Sequence, residues 1–580
     1  MPNSGPSAKK AVQLPVKSVF SRIFWWHRPI PASLVALFVA IILLLLFNHS
    51  FWKEIYSLNI KFHSLSFMTL ASLFAGLLLI MNAVLVLFAW PYLFKTVLVL
   101  IFLIAAVASR FMDTFGTIID REIIRSVFET NLQESKDLLT LSLLWHMVLQ
   151  GFIPCWLILR QPVRFGVGWR HAAKNMGIAL VSLALAGVIV LGHYKDFSIF
   201  YRIHNHLRFM IVPANVFISI ESYLRRDVFV THKELQQVGL DAIPGPKATA
   251  NPKPLLLVLV VGETARSANF SLQGYPRSNN PRMKEAGGFY FSNFTSCGTS
   301  TGVSVRCIFS HETRKHFSNQ DPRYFEGLLD VLRHAGLRVV WLDNNTGCKE
   351  VCVRSEFQDL SHDQTPGLCN ADGCLDEVLV RRLKEIMTTQ TGPMVVVLHQ
   401  KGSHGPAYYM RYPKHFRRYT PTCDRKDVEN CEQQTIVNTY DNSILYTDNI
   451  LGEVMDHLSS QQNRFDSAML YFSDHGESLG ENGLYLHGLP FFLAPEVQTQ
   501  IPMYAWFSSS FVQSMKIDAN CVRKLQTKPF SHDNLYDTVL GLLDIHTNVY
   551  RSDLDMFLSC YEHSTLQEKI KILEETPHMR

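Results

Sequence analysis

The sequence predicts a chain of two parts: an N-terminal transmembrane domain of about five helices and a C-terminal α/β domain whose mostly parallel sheet is sandwiched by helices. Three observations favour this fold class. Most long apolar runs of the 580 residues lie before residue 195, strand-like and helix-like runs alternate after residue 254, and all but one of the 11 cysteines follow residue 290. The predicted boundaries are residues 1–195 for the transmembrane domain, 196–254 for an interfacial helix and linker, and 255–580 for the α/β domain.

Five apolar runs each approach the roughly 20 residues that a helix needs to cross a bilayer. Basic residues lie in the N-terminal tail, at Lys95 and after the fourth run, and such charge marks the cytoplasmic side. Five spans therefore place the α/β domain outside the cytoplasm. The formal net charge of +5 is too mild to indicate a nucleic acid partner. The five predicted spans are Pro31–Phe47, Leu65–Trp90, Tyr92–Ala108, Leu138–Leu159 and Ala173–His193.

Three segments near the membrane carry weaker signals. Phe197–Arg226 is aromatic and basic, which suits an interfacial helix and an ordinary packing helix equally well. The proline-rich Asp241–Pro254 predicts a linker. Between the third and fourth spans, Ser126, Thr130 and Glu134 are four residues apart and would share one face of a helix, although composition alone favours a solvated face.

The cysteines after residue 290 are grouped as near neighbours, which predicts disulfides and an oxidising compartment. A zinc–thiolate site is the alternative, but none of the groups has the short CxxC form. The lone Cys155 suits a small apolar role in the membrane domain. The partners of Cys521 and Cys560 stay open, with each other as one choice. The predicted disulfides join Cys297 to Cys307, Cys348 to Cys352, Cys369 to Cys374 and Cys423 to Cys431.

The α/β domain is predicted from five apolar strands separated by helix-like runs, a pattern typical of a parallel sheet covered on both faces. Ligands of open α/β sheets bind beyond the carboxyl ends of the strands, and polar clusters follow several of these strands. The predicted strands are Leu255–Val261, Arg338–Leu342, Met394–Leu398, Met469–Phe472 and Met503–Phe507. The predicted helices are Tyr324–Ala335, Leu375–Thr388, Thr435–Ser459 and His532–Leu543.

Glu263, Asp474 and His475 follow two of these strands, so they can converge. Carboxylates with an imidazole suit Zn²⁺ or Mn²⁺. Thr301 lies in a loop between Cys297 and Cys307, and a metal would activate it as a nucleophile. A second layer of histidines could stabilise phosphate charge, protonate a leaving group or bind a second metal, although each alone is more often structural: His399, His404 and His487. Lys349 could contact phosphate as a point charge, although alone it suits a solvated surface.

Four stretches of sequence carry a family likeness: Val261–Arg266, Cys297–Cys307, His404–Pro406 and Ser473–Gly483. Together they resemble the membrane phosphoethanolamine transferases that modify lipid A and lipopolysaccharide, a family that includes the mobile colistin-resistance enzymes. The resemblance covers nearly the whole length. It implies an alkaline-phosphatase-like catalytic domain in the periplasm, anchored in a bacterial inner membrane.

The resemblance also implies roles for individual residues. The zinc ligands would be Glu263, Thr301, Asp474 and His475, with Thr301 as the nucleophile and a second zinc left open. Accessory histidines near phosphate match His404 and His487, with His399 a weaker match, and a phosphate-region lysine matches Lys349. Membrane-proximal substrate contacts match Ser126, Thr130 and Glu134, where serine replaces the asparagine of the family.

The implied activity moves phosphoethanolamine from phosphatidylethanolamine to lipid A or lipopolysaccharide core through a phospho-Thr301 intermediate, in a monomer at the membrane. The product loses net negative charge, so cationic peptides such as polymyxin should bind the cell surface less well. The alternatives are glycerol-phosphate transfer of the lipoteichoic-acid-synthase type, transfer to another periplasmic glycan, a sulfatase or phosphodiesterase, and a non-catalytic membrane sensor. The close cysteine pairs and the sequences of the motifs around Glu263 and Asp474 favour phosphoethanolamine transfer over these alternatives.

Overall fold

The computed structural model describes residues 28–62, 66–130, 132–194, 197, 204–229, 234–317 and 321–561. The chain forms two compact units, Met1–Arg110 with Trp145–Ala214, and Phe111–Leu144 with Asn215–Arg580. These units divide the chain differently from the predicted boundaries at residues 195 and 254, which stay a prediction. The described residues of 111–137, predicted as a loop between spans, of 138–144, predicted as the start of the fourth span, and of 215–254 belong with the α/β unit.

Within the described residues, four helices are long and apolar enough to cross a membrane, and a bent pair makes five if it counts as one span. The bent pair, Ala32–Leu46 and His49–Leu58, turns by 57° between its two helices. The third span extends past its predicted end at Ala108, because its helix, Leu93–Phe115, continues to Phe115. The first eight helices are α1 (Ala32–Leu46), α2 (His49–Phe62), α3 (Phe67–Leu87), α4 (Leu93–Phe115), α5 (Arg121–Glu129), α6 (Leu132–Leu138), α7 (Leu141–Arg160, with a π-helical turn at Met147–Phe152) and α8 (Gly168–Gly192).

The two segments predicted to join the domains differ from expectation. The described part of Phe197–Arg226 contains a 3₁₀ turn at Asn205–Phe209, α9 (Ala214–Tyr223) and a π-helical turn, rather than one interfacial helix; residues 198–203 lie outside the described part. The predicted linker is packed on the α/β unit. Its residues Ile243–Pro244 pair with Ile545–His546, and the Lys247 amide donates to the Asp544 carboxylate at 2.9 Å.

The α/β unit is built on one seven-stranded sheet. Its strands are β1 (Leu255–Gly262), β2 (Phe289–Phe291), β3 (Arg338–Asp343), β4 (Glu356–Asp359), β5 (Met394–His399), β6 (Asp466–Ser473) and β7 (Met503–Phe507). Their order across the sheet is β2-β7-β6-β1-β5-β3-β4. The five strands from β6 to β4 are parallel, while β7 runs antiparallel to β6 and β2 antiparallel to β7. All five predicted strands form, and the short β2 and β4 were not predicted.

Both faces of the sheet are covered, because every residue of β1, β5 and β6 is buried. Alternate residues of β1 enter two separate apolar cores, with Leu257 in one and Val258 in the other. The helices that supply these cores are α10 (Thr301–Ile308), α11 (Leu328–His334), α12 (Glu377–Thr389), α13 (Gln433–Ser460) and α14 (Leu535–Leu542).

Five disulfides lie in the α/β unit and join segments close in the chain. They comprise the four predicted pairs and a fifth between Cys521 and Cys560. Cys155 is buried and not in a disulfide. The carboxyl ends of the central strands are level, because Ser473 pairs with Gly262 and His399 pairs with Asp343. The polar residues that follow these strands therefore meet at one edge.

Candidate metal and nucleophile site

Three predicted metal ligands meet where β1 and β6 end. Glu263 directly follows β1, and Asp474 and His475 follow β6. The ligand atoms of the three residues lie within 4.8 Å of one another. Nε2 of His475 is 3.5 Å from Oε1 of Glu263 and 3.3 Å from Oδ2 of Asp474. The parallel register of the two strands thus brings together residues more than 200 positions apart.

Thr301 begins α10 and faces this cluster. Its hydroxyl lies 3.3 and 3.1 Å from the two carboxylate oxygens of Glu263 and 3.5 Å from Nε2 of His475. The disulfide between Cys297 and Cys307 links the loop before α10 to its last turn. The hydroxyl therefore lies beside the side chains that were predicted to hold an activating metal.

The electrostatics of the cluster fit a divalent cation. Burial, with the neighbouring charge of Asp474, raises the pKa of Glu263 to about 8, and burial raises the pKa of Asp474 to about 6. Both side chains are at most 1% exposed, so a cation would stabilise their ionised forms. Oδ2 of Asp474 is buried and accepts no hydrogen bond within the part of the chain that the structure describes. A buried carboxylate oxygen of this kind is a natural metal ligand.

The Nε2 atom of His475 is free of a proton and can bind the same cation as Glu263 and Asp474. Nδ1 of the same ring lies 2.9 Å from the carbonyl oxygen of Gly476, which makes Nδ1 the donor and leaves Nε2 as the acceptor. Burial lowers the pKa of His475 to about 4, so the ring is neutral. Two carboxylates, one imidazole and the threonine hydroxyl form a four-ligand oxygen and nitrogen set that suits zinc.

A layer of buried polar residues supports Glu263 from behind. Asn345 donates through Nδ2 to Oε2 of Glu263 at 2.7 Å. His399 is fully buried and pairs through Nδ1 with Asp343 at 2.7 Å. Burial opposes protonation of His399, but the charge of Asp343 raises its pKa above the ordinary value. His399 is fully buried beside Asn345 and Asp343, and its contact with substrate stays a prediction.

A cavity of about 170 Å³ opens over Thr301. The His404 and His487 rings lie 5.6 Å apart, and the His487 and His475 rings lie 4.3 Å apart. Five predicted site residues other than the predicted metal ligands line the cavity beside Thr301, together with Glu129 and Thr346: Ser126, Thr130, Lys349, His404 and His487.

Comparison with known proteins identifies the family. A family model described as phosphoethanolamine transferase EptA/EptB matches residues 77–228, and a sulfatase model matches residues 256–545. Phosphoethanolamine transferase EptA of Escherichia coli K12 is 38% identical over 486 residues, which is 83% of this chain and 88% of that protein. The chain belongs to the phosphoethanolamine transferase family. Phosphatidylethanolamine transferase Mcr-1 of Escherichia coli is 32% identical over 90% of this chain and 96% of its own length.

Solved structures agree with this assignment. The integral membrane phosphoethanolamine transferase EptA of Neisseria meningitidis superposes with a TM-score of 0.85 at 32% identity, covering 92% of this chain and all of that chain. The protein is therefore a phosphoethanolamine transferase of the membrane, with N-terminal apolar helices and a sulfatase-like catalytic domain in the periplasm.

The membrane-proximal part of the transferase differs from the predicted single helix. Helix α5 ends at Glu129, Thr130 is extended with ψ of 129°, and α6 begins at Leu132. Ser126 and Thr130 both line the cavity, and the Thr130 hydroxyl donates to the Ser126 carbonyl at 2.6 Å. The side chain of Glu134 lies outside the described part. The acidic residue seen in the cavity wall is Glu129, which the spacing of four residues did not single out.

Glu477 is a further residue of the transferase site that the sequence did not single out. Nδ1 of His487 lies 2.7 Å from Oε2 of Glu477, whose other oxygen accepts from the Tyr408 hydroxyl. The carboxylate is fully buried, and its contact with Nδ1 fixes the orientation of the His487 ring. Its position between the predicted metal ligands Asp474 and His475 and the predicted accessory histidine His487 was the available signal.

Proposed function

We propose that this chain transfers phosphoethanolamine from phosphatidylethanolamine to lipid A or lipopolysaccharide core through a covalent phospho-Thr301 intermediate. The observation that carries the proposal is the Thr301 hydroxyl, held 3.1 Å from Glu263 in the wall of a cavity. One relative is named Kdo(2)-lipid A phosphoethanolamine 7''-transferase in Escherichia coli K12, at 24% identity over 77% of this chain. We also propose that the chain acts as a monomer.

Zinc would be held by Glu263, Thr301, Asp474 and His475, and when bound it would lower the pKa of the Thr301 hydroxyl and offset charge on the transferring phosphoryl group. We propose one ion at these four residues. A second near His404 and His487 would be an additional site, and those two histidines also suit direct contact with phosphate oxygens.

In the first step the Thr301 oxygen attacks phosphorus, and the bond from phosphorus to the diacylglycerol oxygen breaks. The threonine proton ends on diacylglycerol. His487, oriented by Glu477 through Nδ1, has Nε2 as its ring nitrogen for moving this proton. Lys349 contributes a point charge to the phosphate oxygens. In the second step an oxygen of the acceptor attacks phosphorus and the bond to Thr301 breaks. The Thr301 oxygen takes the proton of an acceptor hydroxyl, or a proton from water where the acceptor is an ionised phosphate, and the hydroxyl is restored.

The proposed product carries an added amine and less net negative charge. Cationic peptides such as polymyxin should therefore bind the modified cell surface less well. Both substrates are lipids, which accounts for a catalytic domain attached to membrane helices.

The test is mass spectrometry of lipid A and core from cells expressing this chain, beside cells expressing Thr301→Ala. We expect a phosphoethanolamine mass increment only with Thr301 present, and its position names the acceptor. An increment of glycerol phosphate, or none on any lipopolysaccharide fragment, would refute the lipid A proposal. Zinc content of the same proteins should be near one ion per wild-type chain and should fall in Glu263→Gln, whose neutral amide is a poorer ligand.

A further inference from the structure

Arg306 is a buried cation in the helix that carries the nucleophile. It lies on α10 five residues beyond Thr301, and its side chain is 6% exposed. Two carboxylates bind its Nη2 atom, Glu129 at 2.7 Å and Glu350 more closely still. Burial would lower the pKa of Arg306, but the charges of Glu129 and Glu350 raise it. Removing a guanidinium and its carboxylate partners from water costs desolvation free energy. In some proteins such a buried group serves to fix one conformation.

One geometry that Arg306 fixes is the turn of Lys349 and Glu350. Both residues have positive φ, 49° and 65°, a region that side chains disfavour unless their surroundings hold them there. Nε of Arg306 donates to the Lys349 carbonyl at 3.2 Å, while Nη2 binds the Glu350 carboxylate. The disulfide between Cys348 and Cys352 encloses the same turn. Arg306 therefore binds both strained residues at once.

The turn matters because the Lys349 side chain lines the cavity over Thr301. Its ammonium donates to the Thr346 carbonyl at 3.1 Å and hydroxyl at 2.8 Å, and it lies 4.0 Å from Oε2 of Glu129. Glu129 ends α5, and its Oε1 is the atom bound by Arg306. Arg306 thus joins the nucleophile helix, the lysine turn and the membrane-proximal helix.

We propose that Arg306 is a positioning residue, which holds the Lys349–Glu350 turn in its left-handed conformation and so aims the Lys349 ammonium at the phosphate bound over Thr301. The proposal rests on the proposed phosphate contact of Lys349. A lysine cannot replace Arg306, because three acceptors on two chain segments require the planar fork of a guanidinium.

The first experiment measures binding of inorganic phosphate to the zinc-loaded full-length protein by calorimetry. We expect Lys349→Met and Arg306→Met each to weaken the binding by about tenfold, since a point charge near a phosphate is lost or misplaced in both. Arg306→Lys keeps the charge and much of the volume, and we expect it to weaken binding as well. A folded Arg306→Lys variant with wild-type phosphate affinity would overturn the proposal.

The second experiment follows release of diacylglycerol from a fluorescent phosphatidylethanolamine in detergent. Each single variant should lower kcat/KM by about 10- to 100-fold, the range expected when a catalytic contact is misplaced. If Arg306 acts through Lys349, the double variant should be no slower than the slower single variant. Losses that multiply, or a Lys349→Met variant with unchanged activity, would refute the positioning role.

Arg354→Met is the matched control. Arg354 lies just beyond the same disulfide, and its Nε pairs with the buried Asp330 at 2.7 Å, but it does not line the cavity. It should lower the unfolding midpoint without changing phosphate affinity.

The two proposals can fail separately. A wild-type protein that releases no diacylglycerol refutes the transfer mechanism, whereas the phosphate titration tests the role of Arg306 without any turnover.

Discussion

Asp448 shows how a single buried carboxyl ties two helices of the catalytic domain. It lies in the middle of α13 with 1% of its surface exposed, and its oxygens accept from the amides of Arg282 at 2.8 Å and Met283 at 2.9 Å. These amides begin the short helix Pro281–Ala286. Burial raises the pKa of Asp448 to about 7 despite the two hydrogen bonds.

The raised pKa predicts a pH dependence of stability. The folded protein binds the Asp448 proton more tightly than the unfolded chain, so this contribution is present at acid pH and is lost as pH rises from about 4 through about 7. Asp448→Asn cannot ionise. The unfolding free energy of the variant minus that of wild type should therefore be about 2.5 kcal/mol larger at pH 8 than at pH 5, because only wild type loses this contribution.

The measurement is denaturant unfolding of both full-length proteins at the two pH values. The difference in unfolding free energy between variant and wild type is compared at the two pH values. The pH-independent effect of exchanging a carboxylate oxygen for an amide nitrogen then cancels. A difference between the proteins that is the same at pH 5 and pH 8 would show that Asp448 stays ionised in the folded state.

Helix α6 is held on the catalytic domain by one buried acid. Asp137 binds Arg411 at 2.9 Å and Lys426 at 2.8 Å, and the Asp137 and Arg411 side chains are each 3% exposed. Nε of Arg411 also donates to the His404 carbonyl at 2.7 Å. The contact therefore links α6 to a loop that carries a histidine of the proposed site.

Asp137→Asn should destabilise the catalytic domain by about 3 kcal/mol, because the buried Arg411 loses its countercharge. Denaturant unfolding of the full-length protein measures this. Asp424→Asn is the matched control, since it removes an exposed pair with Arg417 and should cost at most about 1 kcal/mol. Equal effects of the two substitutions would contradict the assigned importance of burial.

The elements that the sequence predicted well are those whose signal is local. The central strands are continuous apolar runs because both of their faces are buried, and their bounds moved by only a few residues. Strand β4, Glu356–Asp359, was missed because an edge strand carries polar residues that resemble a loop. The break between α5 and α6 was missed because four-residue spacing does not reveal where a helix ends.

In the candidate site, too, the residues with a local sequence signal were predictable and the contacts between distant segments were not. Glu263, Asp474 and His475 could be grouped because each follows a strand whose end is predictable, and the structure brings them together with Thr301. Their supporting partners could not be grouped, because the contacts join distant segments. Arg306 meets Glu129 across 177 positions. Nothing in either stretch of sequence alone indicates that pairing.

At the scale of the whole molecule, the catalytic domain depends on the chain that precedes it. Residues 234–561 contain the sheet, both apolar cores and the five disulfides, but not Glu129, which pairs with Arg306, or Asp137, which pairs with Arg411. The soluble domain of the Neisseria meningitidis relative, solved alone, covers 57% of this chain with a TM-score of 0.55 at 38% identity.

We therefore expect residues 234–561 produced alone in an oxidising compartment to fold and bind zinc, but to release diacylglycerol at least about tenfold more slowly than the full chain. Loss of Glu129 leaves Arg306 and the lysine turn less constrained. Circular dichroism, zinc content and the fluorescent lipid assay in one detergent provide the comparison. A truncated domain as active as the full chain would contradict the assigned role of α5.

The edge strand β4 has a consequence for life in a crowded membrane. Glu356, Phe357 and Asp359 are exposed on it, and Glu356 pairs with Arg338 at 2.8 Å. An open edge offers unpaired backbone groups to any strand nearby, and charged side chains along it discourage such pairing. We therefore expect the charges along β4 to disfavour pairing of this edge with the edge of a neighbouring copy in the same membrane.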